Sequence, residues 1–169
     1  MKRLLIFILF ALAAVACSSQ EEIHLGALQH FTRGNQFLEQ KLYKQALHEF
    51  EAAIALEDDQ EAFYYNLGLS YYNLRLYERA AEQYKKAIEL NESFGEAWYN
   101  LSLALNKIGE PSEAYMAYET YQQLNRSQKS VKHNRETSPQ TRGKPKVLAG
   151  PNMKRQAPPK PPGKQLPKR

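Results

Sequence analysis

The sequence predicts an all-α chain built from helix–turn–helix units stacked in tandem. Three observations carry that expectation: a period of 34 residues, a small residue repeating in step with an aromatic one, and the lack of strand-like alternation. Gly34, Gly68 and Ser102 stand 34 apart, as do Ala46, Ala80 and Ala114, and as do Phe50, Tyr84 and Tyr118. Leu42-Tyr43 returns as Leu76-Tyr77, Ala53-Ile54 as Ala87-Ile88, and Tyr65-Asn66-Leu67 as Tyr99-Asn100-Leu101. A glycine or alanine lets two helices approach closely, and the aromatic ring fills the space left by the missing side chain. Fully burying one such ring stabilises by roughly 1.5–3 kcal/mol. One unit cannot bury its own apolar face, and about three are needed for stability. Pro111, after the Gly109-Glu110 break, marks the start of the last helix.

These residues resemble the tetratricopeptide repeat, a helix–turn–helix unit of 34 residues. The units run 27–60, 61–94 and 95–128. The first aromatic position of the family holds His30, Tyr64 and Trp98, and the leucine position holds Arg33, Leu67 and Leu101. The small position holds Gly34, Gly68 and Ser102, and the next aromatic position Phe37, Tyr71 and Leu105. His30, Arg33 and Tyr121 make the outer units atypical, and Asp58, Glu92 and Arg126 stand where a late proline is usual. The resemblance implies a short right-handed superhelical solenoid. It assigns helix packing to Gly34, Ala46, Phe50, Gly68, Ala80, Tyr84, Trp98, Ser102, Ala114 and Tyr118.

It also implies that the first helices line a concave groove that takes a partner protein. The groove candidates are Phe31, Asn35, Tyr65, Asn66, Leu69, Tyr72, Tyr99, Asn100 and Leu103, beside Leu28, Thr32, Leu38, Glu39, Ala62, Asn73, Glu96, Asn106 and Lys107. Tyrosines bury area at low entropy cost, and asparagines both donate to and accept from a peptide backbone. The competing reading is that the Tyr-Asn pairs join neighbouring helices. One variant of the family clamps a C-terminal carboxylate. Its amide positions are matched by Asn35 and Asn66, but its cationic positions hold Phe31, Glu96 and Asn100. The expected ligand is therefore an extended or helical segment, apolar or mildly basic.

The two ends read differently from the repeats. Lys2 and Arg3 precede an uninterrupted apolar run, Leu4 to Ala16, that is too short to cross a bilayer and fits a secretory signal. Ala14-Val15-Ala16-Cys17 resembles the bacterial lipobox, which implies that residues 1–16 are removed and that Cys17 carries the acyl chains. Two or more acyl chains suffice for stable anchoring. Residues 17–26 are then a short linker or helix start. Ser18 after the cysteine favours an outer membrane, facing the periplasm, in an organism that has one.

Charge lies in blocks. Residues 17–128 hold 9 Lys/Arg against 17 Asp/Glu, a net −8, and residues 129–169 hold 12 Lys/Arg against Glu136 alone, a net +11. The second block contains eight of the nine prolines and is expected to be a disordered tail. A polybasic segment without aromatics suits an anionic cell-wall or membrane surface, and the export signal argues against nucleic acid. With one cysteine, no phosphate loop and no catalytic grouping, the sequence points away from an enzyme and implies no metal or cofactor. The expected role is an adaptor in the cell envelope, with a structural tether or a non-catalytic subunit of an envelope assembly as alternatives. The face of the last unit is a candidate for contact with a second copy.

Overall fold

The computed structural model describes residues 2–136, with side chains over 20–129. The basic tail from 137 to 169 lies outside the described residues, and so does the side chain of Cys17. Six helices follow one another: α1 (Lys2–Glu39), α2 (Tyr43–Leu56), α3 (Glu61–Asn73), α4 (Tyr77–Leu90), α5 (Gly95–Ile108) and α6 (Pro111–Glu136). Among the described residues there is no strand. Each odd helix packs against the even helix that follows it. α2 packs on α3, α4 packs on α5, and α1 also touches α3.

The hairpin turns share one device. Lys41, Arg75 and Gly109 stand 34 apart and have φ of 61°, 64° and 87°. The amides of Leu42, Leu76 and Glu110 then donate back to the carbonyls of Phe37, Tyr71 and Leu105 at 2.8, 3.0 and 2.9 Å. That is the helix-ending motif in which a left-handed residue lets the chain reverse and satisfies a free carbonyl. Glycine adopts this backbone without cost, whereas Lys41 and Arg75 hold it against a steric penalty of roughly 1–2 kcal/mol.

The small residues sit where the hairpins close. Ala46, Ala80 and Ala114 are fully buried, as are Phe50 and Tyr84. A methyl group added at Gly34 would lie 2.5 Å from the Phe50 ring, and one at Gly68 would lie 2.7 Å from the Tyr84 ring. No side chain beyond hydrogen therefore fits at either place without moving a packed ring. Ser102 takes the third equivalent position, fully buried, with its hydroxyl donating to the Tyr99 carbonyl at 2.7 Å. The Trp98 indole donates to the Glu92 carbonyl at 2.9 Å and so ties α5 to the loop before it.

Both outer repeats depart from the middle one where the stack ends. The first repeat places Gln29, Arg33 and Gln36 where the next two bury Phe63 and Ala97, Leu67 and Leu101, and Ser70 and Ala104. These polar side chains face a shallow depression on α1, beside Leu25, Leu28 and Thr32. At the other end, Tyr121 stands where earlier repeats have Ala53 and Ala87. Its ring lies 5.2 Å from the Tyr99 ring and 3.7 Å from the position of a methyl group on Gly95. Tyr121 thus packs back onto α5, while Met116 on the same helix stays exposed.

The outer helices run beyond their repeats. α1 is continuous from Lys2 through residues 17–26 into the first repeat. α6 continues to Glu136, eight residues past 128, where the sequence reading began the tail. Neither glycine nor proline occurs from 112 to 136 to break it, and the next proline is Pro139. No helix among the described residues is long and apolar enough to cross a membrane.

Candidate functional site

The first helices α1, α3 and α5 form one continuous face, joined by side chains that bridge consecutive repeats. The Asn66 amide donates to the Asn35 carbonyl oxygen at 2.7 Å, linking α3 to α1. The Asn100 amide donates to the Tyr65 hydroxyl at 2.9 Å, linking α5 to α3. Four of the groove candidates therefore hold the repeats in register. The reading in which Tyr-Asn pairs join neighbouring helices describes Tyr65 and Asn100.

An aromatic triplet recurs along the same face. Phe31, Tyr65 and Tyr99 each lie over the ring of their own second helix, Phe50, Tyr84 and Tyr118, at 5.9, 5.9 and 6.3 Å between centroids. Each also meets another ring. Phe63 lies 4.9 Å from Phe31 and Phe94 lies 4.8 Å from Tyr65, the first supplied by the next repeat and the second by the loop that leads into α5. In the last repeat that third ring is Tyr121, supplied from within. Burial pushes the Tyr65 hydroxyl up to about 12, and the nearby Glu96 carboxylate adds to this against the Asn100 hydrogen bond. Tyr65 is neutral at physiological pH and acts as a hydrogen-bonding group. The Tyr84 hydroxyl is fully buried with no hydrogen-bond partner, and burial raises its ionisation well above the ordinary value.

The groove candidates separate by burial. Phe31, Asn35, Tyr65, Asn66 and Tyr99 are half-buried and keep one side at the surface. Leu69, Tyr72, Asn100 and Leu103 are buried at 4, 7, 5 and 4 % exposure, so they form the floor beneath that surface. Thr32, Glu39, Asn73, Glu96, Asn106 and Lys107 are exposed around them. The face is thus an aromatic and amide strip with a sparse charged margin.

A charged cluster lies at the first repeat, where sequence spacing gave no signal for it. Glu49, only 8 % exposed, accepts from Arg33 Nη1 at 3.4 Å and lies 2.8 Å from His30 Nδ1. Desolvation pushes its carboxyl up, but the His30 hydrogen bond and the Arg33 charge together outweigh it and hold the group below the ordinary value. His24 makes a second bridge from α1 to the end of α2, with Nδ1 2.8 Å from Glu57 Oε2. Among the described residues, no group of three or more His, Cys, Asp or Glu side chains is arranged to hold a metal ion.

Comparison with known proteins bears on this geometry. Family models of the tetratricopeptide repeat match residues 62–94 and 95–128. The described array is a tetratricopeptide-repeat solenoid. The second such domain of Spaghetti (RPAP3), solved with the HSP90 peptide SRMEEVD, is 25% identical, with a TM-score of 0.61 over 63% of this chain and 98% of that one. The second tetratricopeptide domain of human RPAP3, in complex with the HSP70 peptide SGPTIEEVD, is 26% identical, with a TM-score of 0.59 over 60% of this chain and 85% of that one. MamA, at 24% identity and a TM-score of 0.60, shares the fold over 62% of this chain and 61% of its own. No curated protein has a similar sequence. The tetratricopeptide domains of RPAP3 thus supply solved cases of this fold holding a short peptide.

Proposed function

We propose that the chain is a membrane-anchored adaptor of a bacterial cell envelope, and that the α1–α3–α5 face takes a segment of a partner protein. The observation that carries this reading is the strip of half-exposed Phe31, Asn35, Tyr65, Asn66 and Tyr99. Their positions are fixed before any ligand arrives, by cross-repeat hydrogen bonds and ring contacts. A surface that is already ordered loses little entropy on binding, which favours affinity. The reading draws support from similar domains solved with peptides.

The ligand differs from theirs in chemistry. A peptide ending in acidic residues needs cations, and this face offers Phe31, Glu96 and Asn100 at the positions that would supply them. An apolar or mildly basic segment suits it instead. Cys17, acylated after removal of residues 1–16, would anchor the array and place it in the envelope. In a cell with an outer membrane, that surface faces the periplasm.

Photo-crosslinking amino acids at exposed Asn73 and Asn106, with one at Met116 on α6 as control, test the reading in intact cells. A discrete adduct from Asn73 and Asn106 that is absent from Met116 is the expected result. Identical adduct patterns from all three positions would exclude the groove as the docking face.

A further inference from the structure

The ends of the described chain share one edge of the solenoid. Consecutive helices are antiparallel hairpins, so the starts of α1, α3 and α5 lie on the same edge as the ends of α2, α4 and α6. Contacts across that edge agree: His24 reaches Glu57 just past the end of α2, and a methyl group on Gly26 would lie 3.3 Å from Leu56. Two helices run on beyond it. α1 continues back past Cys17, and the ten residues from 17 to 26 span about 15 Å at 1.5 Å each. α6 outlasts its sister helices, which end at Leu56 and Leu90, a register equivalent to Leu124. Its last twelve residues, 125–136, span about 18 Å.

The basic block therefore extends past the same edge of the solenoid as Cys17. Arg126 and Lys129 are exposed on the α6 extension, and Lys132 and Arg135 follow on the same helix. Nine more Lys/Arg and no acid occupy 137–169, and residues 129–169 contain no Phe, Tyr or Trp. The acidic loops of the solenoid, Glu57-Asp58-Asp59 and Glu92, remain at the edge itself. They lie about two Debye lengths behind the end of α6, taking roughly 8 Å at physiological salt. Attraction of the end of α6 to those loop acids is screened over that gap; Glu21 and Glu22 lie exposed on the α1 extension, and an acylated Cys17 would place the bilayer on the same side of the solenoid.

From this shared edge we infer that the basic arm formed by the α6 extension, 126–136, rests on the anionic lipid headgroups of the membrane that holds Cys17. The inference rests on the anchored reading above. It assigns the charge a partner, a phosphatidylglycerol-type surface in place of a cell-wall polymer. Lys and Arg near such a surface are drawn to its negative potential, so the arm adds a second membrane attachment to the acyl chains. With the array held at two points of one edge, the solenoid cannot swing freely about its stalk.

The test uses the full acylated chain carrying Gln128→Cys, labelled there with a fluorescent donor. An acylated Cys17 has no free thiol, so one label per chain is expected. The chain is placed in phosphatidylcholine vesicles with and without a third of phosphatidylglycerol, both containing a headgroup acceptor. Energy transfer should rise at least twofold with phosphatidylglycerol. It should fall back at high salt, and also when Arg126, Lys129, Lys132 and Arg135 are all changed to Gln. Equal transfer on both lipids from singly labelled chain would overturn the arm assignment and leave the anchor standing. So would a signal that soluble polyglutamate abolishes while a tenfold excess of phosphatidylglycerol vesicles does not restore it. Two labels per chain would show a free Cys17 and overturn the anchor, and with it the delivery of the arm to the bilayer.

Discussion

The first and middle repeats share a backbone and close the same hairpin, yet they fill it with different chemistry. In the middle repeat, Leu67 is buried at the position that Arg33 occupies in the first, where Arg33 and His30 instead converge on Glu49. The glycine–ring contact is common to both, Gly34 with Phe50 and Gly68 with Tyr84. The difference is where each repeat meets solvent. A middle repeat has neighbours on both sides and buries apolar groups toward each, whereas an end repeat must present a wettable face or associate. The comparison separates what makes the hairpin, which is the glycine–ring contact, from what makes the stack, which is the interchangeable residue beside it.

The largest expected effect comes from removing the central ring. Tyr84→Ala should cost about 3–5 kcal/mol and lower the single cooperative melt, because Tyr84 packs under both Tyr65 and the hairpin. Phe50→Ala removes as much ring but should first loosen α1 and α2. Hydrogen exchange resolved by repeat separates the two outcomes, and equal exchange across all six helices in Phe50→Ala would count against the distinction.

Gly68→Ala comes next. Its methyl group meets the Tyr84 ring at 2.7 Å and the Ala80 carbonyl at 3.3 Å, so both a ring and a backbone resist. Overpacking of this kind costs typically 1–3 kcal/mol, read as a lower denaturant midpoint. The three nearest contacts of Gly34→Ala all fall on the Phe50 side chain, which has only one further repeat packed beside it, and the change should cost less.

The charged cluster gives a pH signature confined to the first repeat. Glu49 is held below its ordinary value of 4.5 in the folded state. Its stabilising contribution is therefore complete above that value and lost as pH falls through the folded one. Glu49→Gln should cost about 1 kcal/mol at neutral pH, the typical net contribution of one hydrogen bond, and should flatten the acid side of the stability curve. An unchanged acid limb in the variant would contradict the cluster's role.

The smallest effect is a gain. Arg75→Gly relieves the left-handed backbone at φ 64° and should stabilise the second hairpin by about 1 kcal/mol. A chemical melt that moves to lower denaturant would mean the turn is not strained.

These differences also mark what could be read in advance. Gly34, Gly68, Ala46, Ala80, Phe50 and Tyr84 repeat with a fixed period because each occupies a tight contact made within one hairpin, so spacing alone exposes them. The turns were legible only at Gly109, since Lys41 and Arg75 adopt the same backbone without the residue that usually signals it. Glu49 gave no sign, because its partners lie 16 and 19 residues away and meet it only once the hairpin forms. Within the groove, residue type identified the strip but could not separate Asn100, drawn in to hold Tyr65, from Asn73, left at the surface. That distinction depends on how far one repeat rotates against the next, which no single repeat encodes.

The most direct test of the docking face is an amide and side-chain chemical-shift map of the chain titrated with the partner segment recovered by crosslinking. Shifts should concentrate at Thr32, Asn35, Asn66, Asn73, Tyr99 and Asn106 on α1, α3 and α5, with little change on α2, α4 and α6. Perturbations centred on the second helices, or spread evenly over all six, would contradict it.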